Sequence, residues 1–176
     1  MPIERLYIES CCFIDVIKYD LKSSKNLPQD LQDNIWHIQK LLKASEVKDI
    51  QVITSTLTIA ECRRANQEKP PGGEVKRLIN SILTSGKIVT LAQVTQGIAE
   101  RARDLEWIDG INLKGADAIH IATALITGCK EFLTSDKQGS RSPLKNAGKI
   151  KKLNLDVIYP SQTSLLPADY RQNKLY

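Results

Sequence analysis

The chain is poor in aromatic residues and in histidine, with two Trp, two Phe, five Tyr and two His among 176 residues. So few rings give no evident platform on which single-stranded bases could stack. His37 and His120, with four cysteines (Cys11, Cys12, Cys62 and Cys129) that lack paired ligand spacing, argue against a zinc site. The cysteines are expected to be reduced, mostly buried small residues. No apolar run approaches the roughly 20 residues that span a bilayer, and residues 1–5 have no signal-peptide character. A cytoplasmic protein with no membrane contact is therefore expected. There is no internal repeat and no Gly-rich phosphate loop after the first strand, and the third strand ends at Leu91 without an acceptor aspartate. Both absences argue against a receiver-like or nucleotide-binding α/β domain.

What is present suits one soluble domain: 41% of residues are hydrophobic and 26% charged. A net charge of +5 permits a polyanionic partner without requiring one.

The stretch around which the chain is organised runs from Leu113 to Gly128. Eight of the eleven residues from Ala116 to Ile126 are Ala, Ile or Leu, spread around the whole helical wheel. A helix apolar on every side is a buried helix. Gly115 precedes it, Gly128 can supply the left-handed residue that ends it, and its one acid, Asp117, falls in the first turn. A strand over residues 129–136 follows and finishes in a second acid, Asp136. Earlier strands are expected at 5–9, 50–54 and 87–91, and a last one at 153–159. Between them the spacing predicts helices over 12–18, from Pro28 or Asp30 through about Ala44, from Thr56 or Thr58 through Ala65, 74–83 and 94–107. Residues 22–28 read as a loop, and 70–73 as a helix stop. Such alternation predicts an α/β fold, a mostly parallel central sheet of about five strands with helices on both faces. One domain over residues 1–160 and a polar, loosely held tail over 161–176 complete the expectation.

In such a sheet functional groups gather beyond the carboxyl ends of the strands. Glu9 closes the first strand, Asp136 closes the fourth, Asp117 opens the central helix, and Glu61 lies about one turn into the helix after the second strand. Each also has a plain structural reading. Thr58 and Glu61 have capping-box spacing, Asp117 suits a helix N-terminus, Asp136 suits a turn, and Glu9 could be a surface acid. Their joint placement points further. Converging carboxylates repel unless a cation is present, and hard oxygen ligands without His or Cys suit Mg²⁺ or Mn²⁺. Such a cation can acidify a water and neutralise charge on a phosphodiester.

The motifs Tyr7-Ile-Glu-Ser10, Leu57-Thr-Ile-Ala-Glu61-Cys-Arg-Arg64, Gly115-Ala-Asp117-Ala-Ile-His-Ile-Ala-Thr-Ala124 and Leu133-Thr-Ser-Asp136 together resemble the PIN domain family, over roughly residues 5–159. This family of small ribonucleases includes the toxins of VapBC-type toxin–antitoxin pairs. The resemblance implies a single PIN-like domain and a Mg²⁺- or Mn²⁺-dependent endoribonuclease. Its catalytic and metal-binding acids map onto Glu9, Glu61, Asp117 and Asp136. RNA is the implied substrate, a small antitoxin protein the implied partner, and a homodimer the expected assembly. Ser10 and Ser135 adjoin these acids as supporting donors. Arg63, Arg64 and Lys137 are candidates for contacting phosphate. His120, one turn after Asp117, reads as a packed, hydrogen-bonded histidine rather than a catalytic base. One departure stands out: the family's first acid is normally Asp, and here it is Glu9. The longer side chain gives an alternative reading, a catalytically weak PIN-fold module that binds RNA or protein.

Overall fold

A computed structural model describes residues 3–21, 27–62, 72–137 and 139–171. Five strands, β1 (Arg5–Ile8), β2 (Gln51–Ser55), β3 (Val89–Ala92), β4 (Glu131–Leu133) and β5 (Asp156–Ile158), form one parallel sheet in the order β3-β2-β1-β4-β5. The described helices are α1 (Ser10–Leu21), α2 (Gln29–Glu46), α3 (Leu57–Glu61), α4 (Gly73–Ile79), α5 (Gln96–Trp107), α6 (Gly115–Ile126) and the single turns α7 (Ala147–Ile150) and α8 (Ala168–Arg171). The fold is the α/β sheet with helices on both faces that the alternation of elements predicts.

The strand period of two explains the two layers of core. Leu6 and Ile8 pack with Phe13 of α1 and with Ile35, Ile38 and Leu41 of α2. Tyr7, between them, points the other way and joins Ile53, Phe132, Ile98 and Leu105 of α5 and Ile121 of α6. A central strand buried on both faces therefore carries an unbroken apolar run.

Several boundaries differ from expectation. The first helix starts at Ser10, directly after Glu9, so strand turns into helix with no loop between. The predicted helix over 74–83 divides into α4 and a π turn over Asn80–Thr84, and Gly86 closes it at φ +70°. Both late strands are shorter than predicted, at three residues each. For β5 the cause is local: Lys151–Leu153 is a 3₁₀ turn ended by Asn154 at φ 64°, a left-handed position that asparagine tolerates. Arg63, Arg64 and Pro70, with the loop at 22–26, lie outside the described residues.

The tail expected to be loosely held is instead packed through Arg171. Glu131 is a buried carboxylate, 5% exposed, and needs donors. The tail supplies them: Thr163 Oγ1 donates at 2.5 Å, Ser164 N at 2.9 Å and Ser164 Oγ at 2.6 Å. Ser161 N donates to Asn34 Oδ1 at 3.0 Å, and Leu166 is buried in the core beside α2. Among the described residues no helix is long and apolar enough to cross a membrane.

Candidate active site

The strand order reverses between β1 and β4, the place in a doubly wound sheet where a crevice opens beyond the strand ends. Glu9 follows β1 and residues 134–136 follow β4 at that crevice. Glu9 N–H donates to Leu133 O at 3.0 Å, which fixes the two strand exits side by side. Thr134 O–H is tied to Glu9, and Thr134 Oγ1 accepts Asp136 N–H at 3.0 Å. The bond two residues along is the turn that threonine favours, and it holds the backbone of Asp136 at the crevice. Thr134 is a site residue that reading the acids alone misses. The Thr-x-Asp spacing was its signal.

Asp117 enters from α6, which is buried around most of its circumference through Ala124, although Ile126 at its end is 54% exposed. Gly128 takes the left-handed conformation expected of it, at φ +69°. Asp117 is itself 8% exposed, and its Oδ2 is buried with no hydrogen-bond partner among the described residues. Burial raises its pKa, Lys114 pulls it down, and the charges of Asp136 and Glu61 push it up again, with a net rise. Asp117 thus feels both other acids through space.

Glu9, 5% exposed, is raised well above the ordinary glutamate value. Burial is the largest cause and the charge of Cys11 the next; the Thr134 hydrogen bond works against them, and Asp117 adds repulsion. Cys11 S–H reaches Glu9 Oε2 at 3.5 Å, and Cys11 Sγ accepts Ser135 N–H at 3.3 Å. Glu61, the last residue of α3, behaves oppositely. Burial would raise it, but the hydrogen bonds from His120 and from the Ser10 hydroxyl outweigh burial and lower its pKa.

The four acids are therefore drawn into one electrostatic neighbourhood, with Asp117 coupled to each of the other three. The capping box expected from Thr58 and Glu61 does not form: α3 has Thr56 at its N-cap, and Thr58 Oγ1 pairs with Thr54 Oγ1 at 2.7 Å. The Ser10 hydroxyl hydrogen-bonds Glu61. Ser135 does not turn to the four acids; its hydroxyl donates to Asp15 Oδ2 at 2.7 Å. Lys137 is exposed beside Asp136 and pairs with Asp30 at 2.7 Å.

His120 is wholly buried and hydrogen-bonded, as expected of a packed histidine, but its partners matter. Its Nε2 is 2.7 Å from Glu61 Oε2, and its Nδ1 is 2.6 Å from Tyr7 Oη. Burial pushes the Tyr7 phenol far above its usual range, so Tyr7 stays protonated.

Among the described residues no group of three or more His, Cys, Asp or Glu side chains forms a ready metal cage. Mg²⁺ does not need one, because it keeps several waters and takes one or two carboxylates plus substrate phosphate. The orphaned Asp117 Oδ2, a hard oxygen among other carboxylates, fits such a cation.

A family model described as the PIN domain matches residues 32–143. No curated protein matches the chain at a significant level. Solved structures do. FitAB bound to an IR36 DNA fragment is 17% identical, with 90% of this chain and 97% of that one covered and a TM-score of 0.52. VapBC2 from Rickettsia felis, bound to a DNA fragment from its promoter, is 11% identical, with 88% and 98% covered and a TM-score of 0.53. FitAcB from Neisseria gonorrhoeae is 17% identical, with 90% and 99% covered and a TM-score of 0.50. At these identities the structures share a fold with this chain.

Proposed function

The chain belongs to the PIN domain family, a family of nucleases, and from that premise we propose that it is an endoribonuclease using Mg²⁺ or Mn²⁺ and the acids Glu9, Glu61, Asp117 and Asp136. The observation that carries the reading is Asp117: a buried carboxylate oxygen without a partner, repelled by neighbouring acids, at the crevice of the sheet. Groups arranged this way are destabilising alone and become favourable ligands when a cation is added. When bound, the cation supplies charge neutralisation for the phosphodiester and acidifies water.

The chain's own residues do the rest. Asp117, held by the buried helix α6, sets the position that the others face. Thr134 fixes Asp136 and Glu9 relative to each other. Ser10 and His120 keep Glu61 ionised. Lys137 reaches phosphate by giving up Asp30; both partners are more than half exposed, and such a pair is worth little in water. Arg63 and Arg64 follow α3 in sequence and are the other phosphate contacts of the reading. We take the chain for the cytoplasmic toxin of a two-protein pair. A small antitoxin is its partner, and the active form is a homodimer.

A second reading is favoured by one observation. Glu9 is buried with a raised pKa, and a protonated acid is a poor cation ligand, so the fold could bind RNA or protein while cutting slowly. Wild type, Glu9→Asp and Glu9→Gln on one mixed RNA pool, with EDTA as blank, separate the two. The enzyme reading expects Glu9→Asp to keep or raise Mn²⁺-dependent cleavage and Glu9→Gln to lose about 10²-fold, the scale of one electrostatic group. No cleavage by any of the three, with RNA still bound, gives the binding module the lead.

A further inference from the structure

We infer that His120 is a positioning residue for Glu61, locked by Tyr7 into the tautomer that carries its proton on Nε2. The inference rests on the reading of Glu61 as a site carboxylate, and it deepens that reading.

Ser55 N–H, at the end of β2, donates to Tyr7 Oη at 2.9 Å. A phenol oxygen that accepts there still has its own proton to give, and His120 Nδ1 is 2.6 Å away. An Nδ1 that accepts leaves the ring proton on Nε2, which faces Glu61 Oε2 at 2.7 Å. In this assignment the Ser55 amide, the Tyr7 phenol and the His120 ring pass their protons in one direction, toward Glu61. The geometry has little play: Tyr7 and His120 are each 0% exposed, and Tyr7 stacks on Phe132 at 5.1 Å with an interplanar angle of 5°.

Glu61 needs such a hold more than the other acids. It ends a five-residue helix with no side-chain cap, whereas Asp117 sits on a long buried helix and Glu9 directly follows a central strand. His120 is one turn from Asp117 on α6, and Tyr7 is two residues before Glu9. The relay therefore references the position of Glu61 to the two elements that carry its neighbouring acids. It also removes the free Nε2 lone pair that a general base would require.

Two measurements on the full chain test this. In the metal-free protein, a long-range ¹H–¹⁵N spectrum of labelled histidine should find the His120 proton on Nε2 and none on Nδ1. Mn²⁺ affinity, read by electron paramagnetic resonance of the free ion, should then separate two variants. His120→Gln can place an amide N–H where Nε2 stood, while His120→Asn reaches only the Nδ1 position. Loss of an outer-shell partner costs about 10- to 100-fold in affinity, so Asn should weaken Mn²⁺ binding about tenfold or more, with Gln staying within about threefold of wild type. A proton on Nδ1, equal affinity in all three proteins, or equal loss in both variants would overturn the positioning role. Wild type that binds no Mn²⁺ but shows the Nε2 proton would overturn the metal reading of the site and leave the relay standing.

Discussion

Asp117→Asn should change the sign of its effect on stability when metal is added. Without metal, Asp117 is a buried carboxylate facing other acids, with Oδ2 unpartnered. Each of the two like charges, taken at a separation of about 8 Å, costs about 2 kcal/mol at an effective dielectric near 20. Asparagine keeps the shape and removes the charge, although its amide inherits an unpaired polar atom that costs about 1–3 kcal/mol. The net expectation is a metal-free variant about 1 kcal/mol more stable than wild type. For a domain of this size that is a rise in Tm of about 2–4 °C.

With Mn²⁺ at about 100 times its Kd, wild type should gain about 2.7 kcal/mol, or roughly 5–10 °C, because the ligand binds only the folded state. The variant should gain almost nothing, so the order of the two melting curves reverses. Differential scanning calorimetry in EDTA and then in Mn²⁺ reads both effects on the same samples. A variant that melts below wild type in EDTA and gains as much from Mn²⁺ would refute both the repulsion and the metal assignment.

Glu9 makes a pH prediction. Its folded pKa is raised above the ordinary 4.5, so the folded chain holds a proton that the unfolded chain releases. The stability this gives is full below the unfolded value and is lost as pH rises through the folded one, so metal-free Glu9→Gln should gain on wild type in urea melts as pH rises above about 4.5; a constant gap would contradict it. Glu131→Ala should cost about 2–3 kcal/mol, since three donors from the tail lose a buried charged acceptor, and proteolysis should then release the tail first; an unchanged urea midpoint would contradict it.

The layout of the site was legible because strand ends and helix starts are marked in sequence. Glu9, Asp117 and Asp136 stand where the apolar runs of β1, α6 and β4 begin or end, and period counting alone finds them. The family match and the parallel sheet agree with the fold that the same runs predict. What sequence could not show were partners across the chain. Thr58 and Glu61 have capping spacing, yet Thr58 bonds Thr54 and Glu61 bonds His120, 59 residues away, because tertiary contacts outbid a local cap. Ser135 neighbours Asp136 in sequence, but its hydroxyl serves Asp15, 120 residues away. The tail looked loose because its residues are polar. Their value appears only when Glu131, buried at the start of β4, is seen to need them.

The central claim is that this crevice cuts RNA with a divalent cation held by its acids. The most direct measurement is cleavage of a mixed RNA pool by the purified chain in Mn²⁺ and in EDTA, with Asp117→Asn alongside. The account predicts cutting by wild type in Mn²⁺, none in EDTA, and a loss of about 10²- to 10³-fold in the variant. Cleavage that persists in EDTA, or that survives intact in Asp117→Asn, would contradict it.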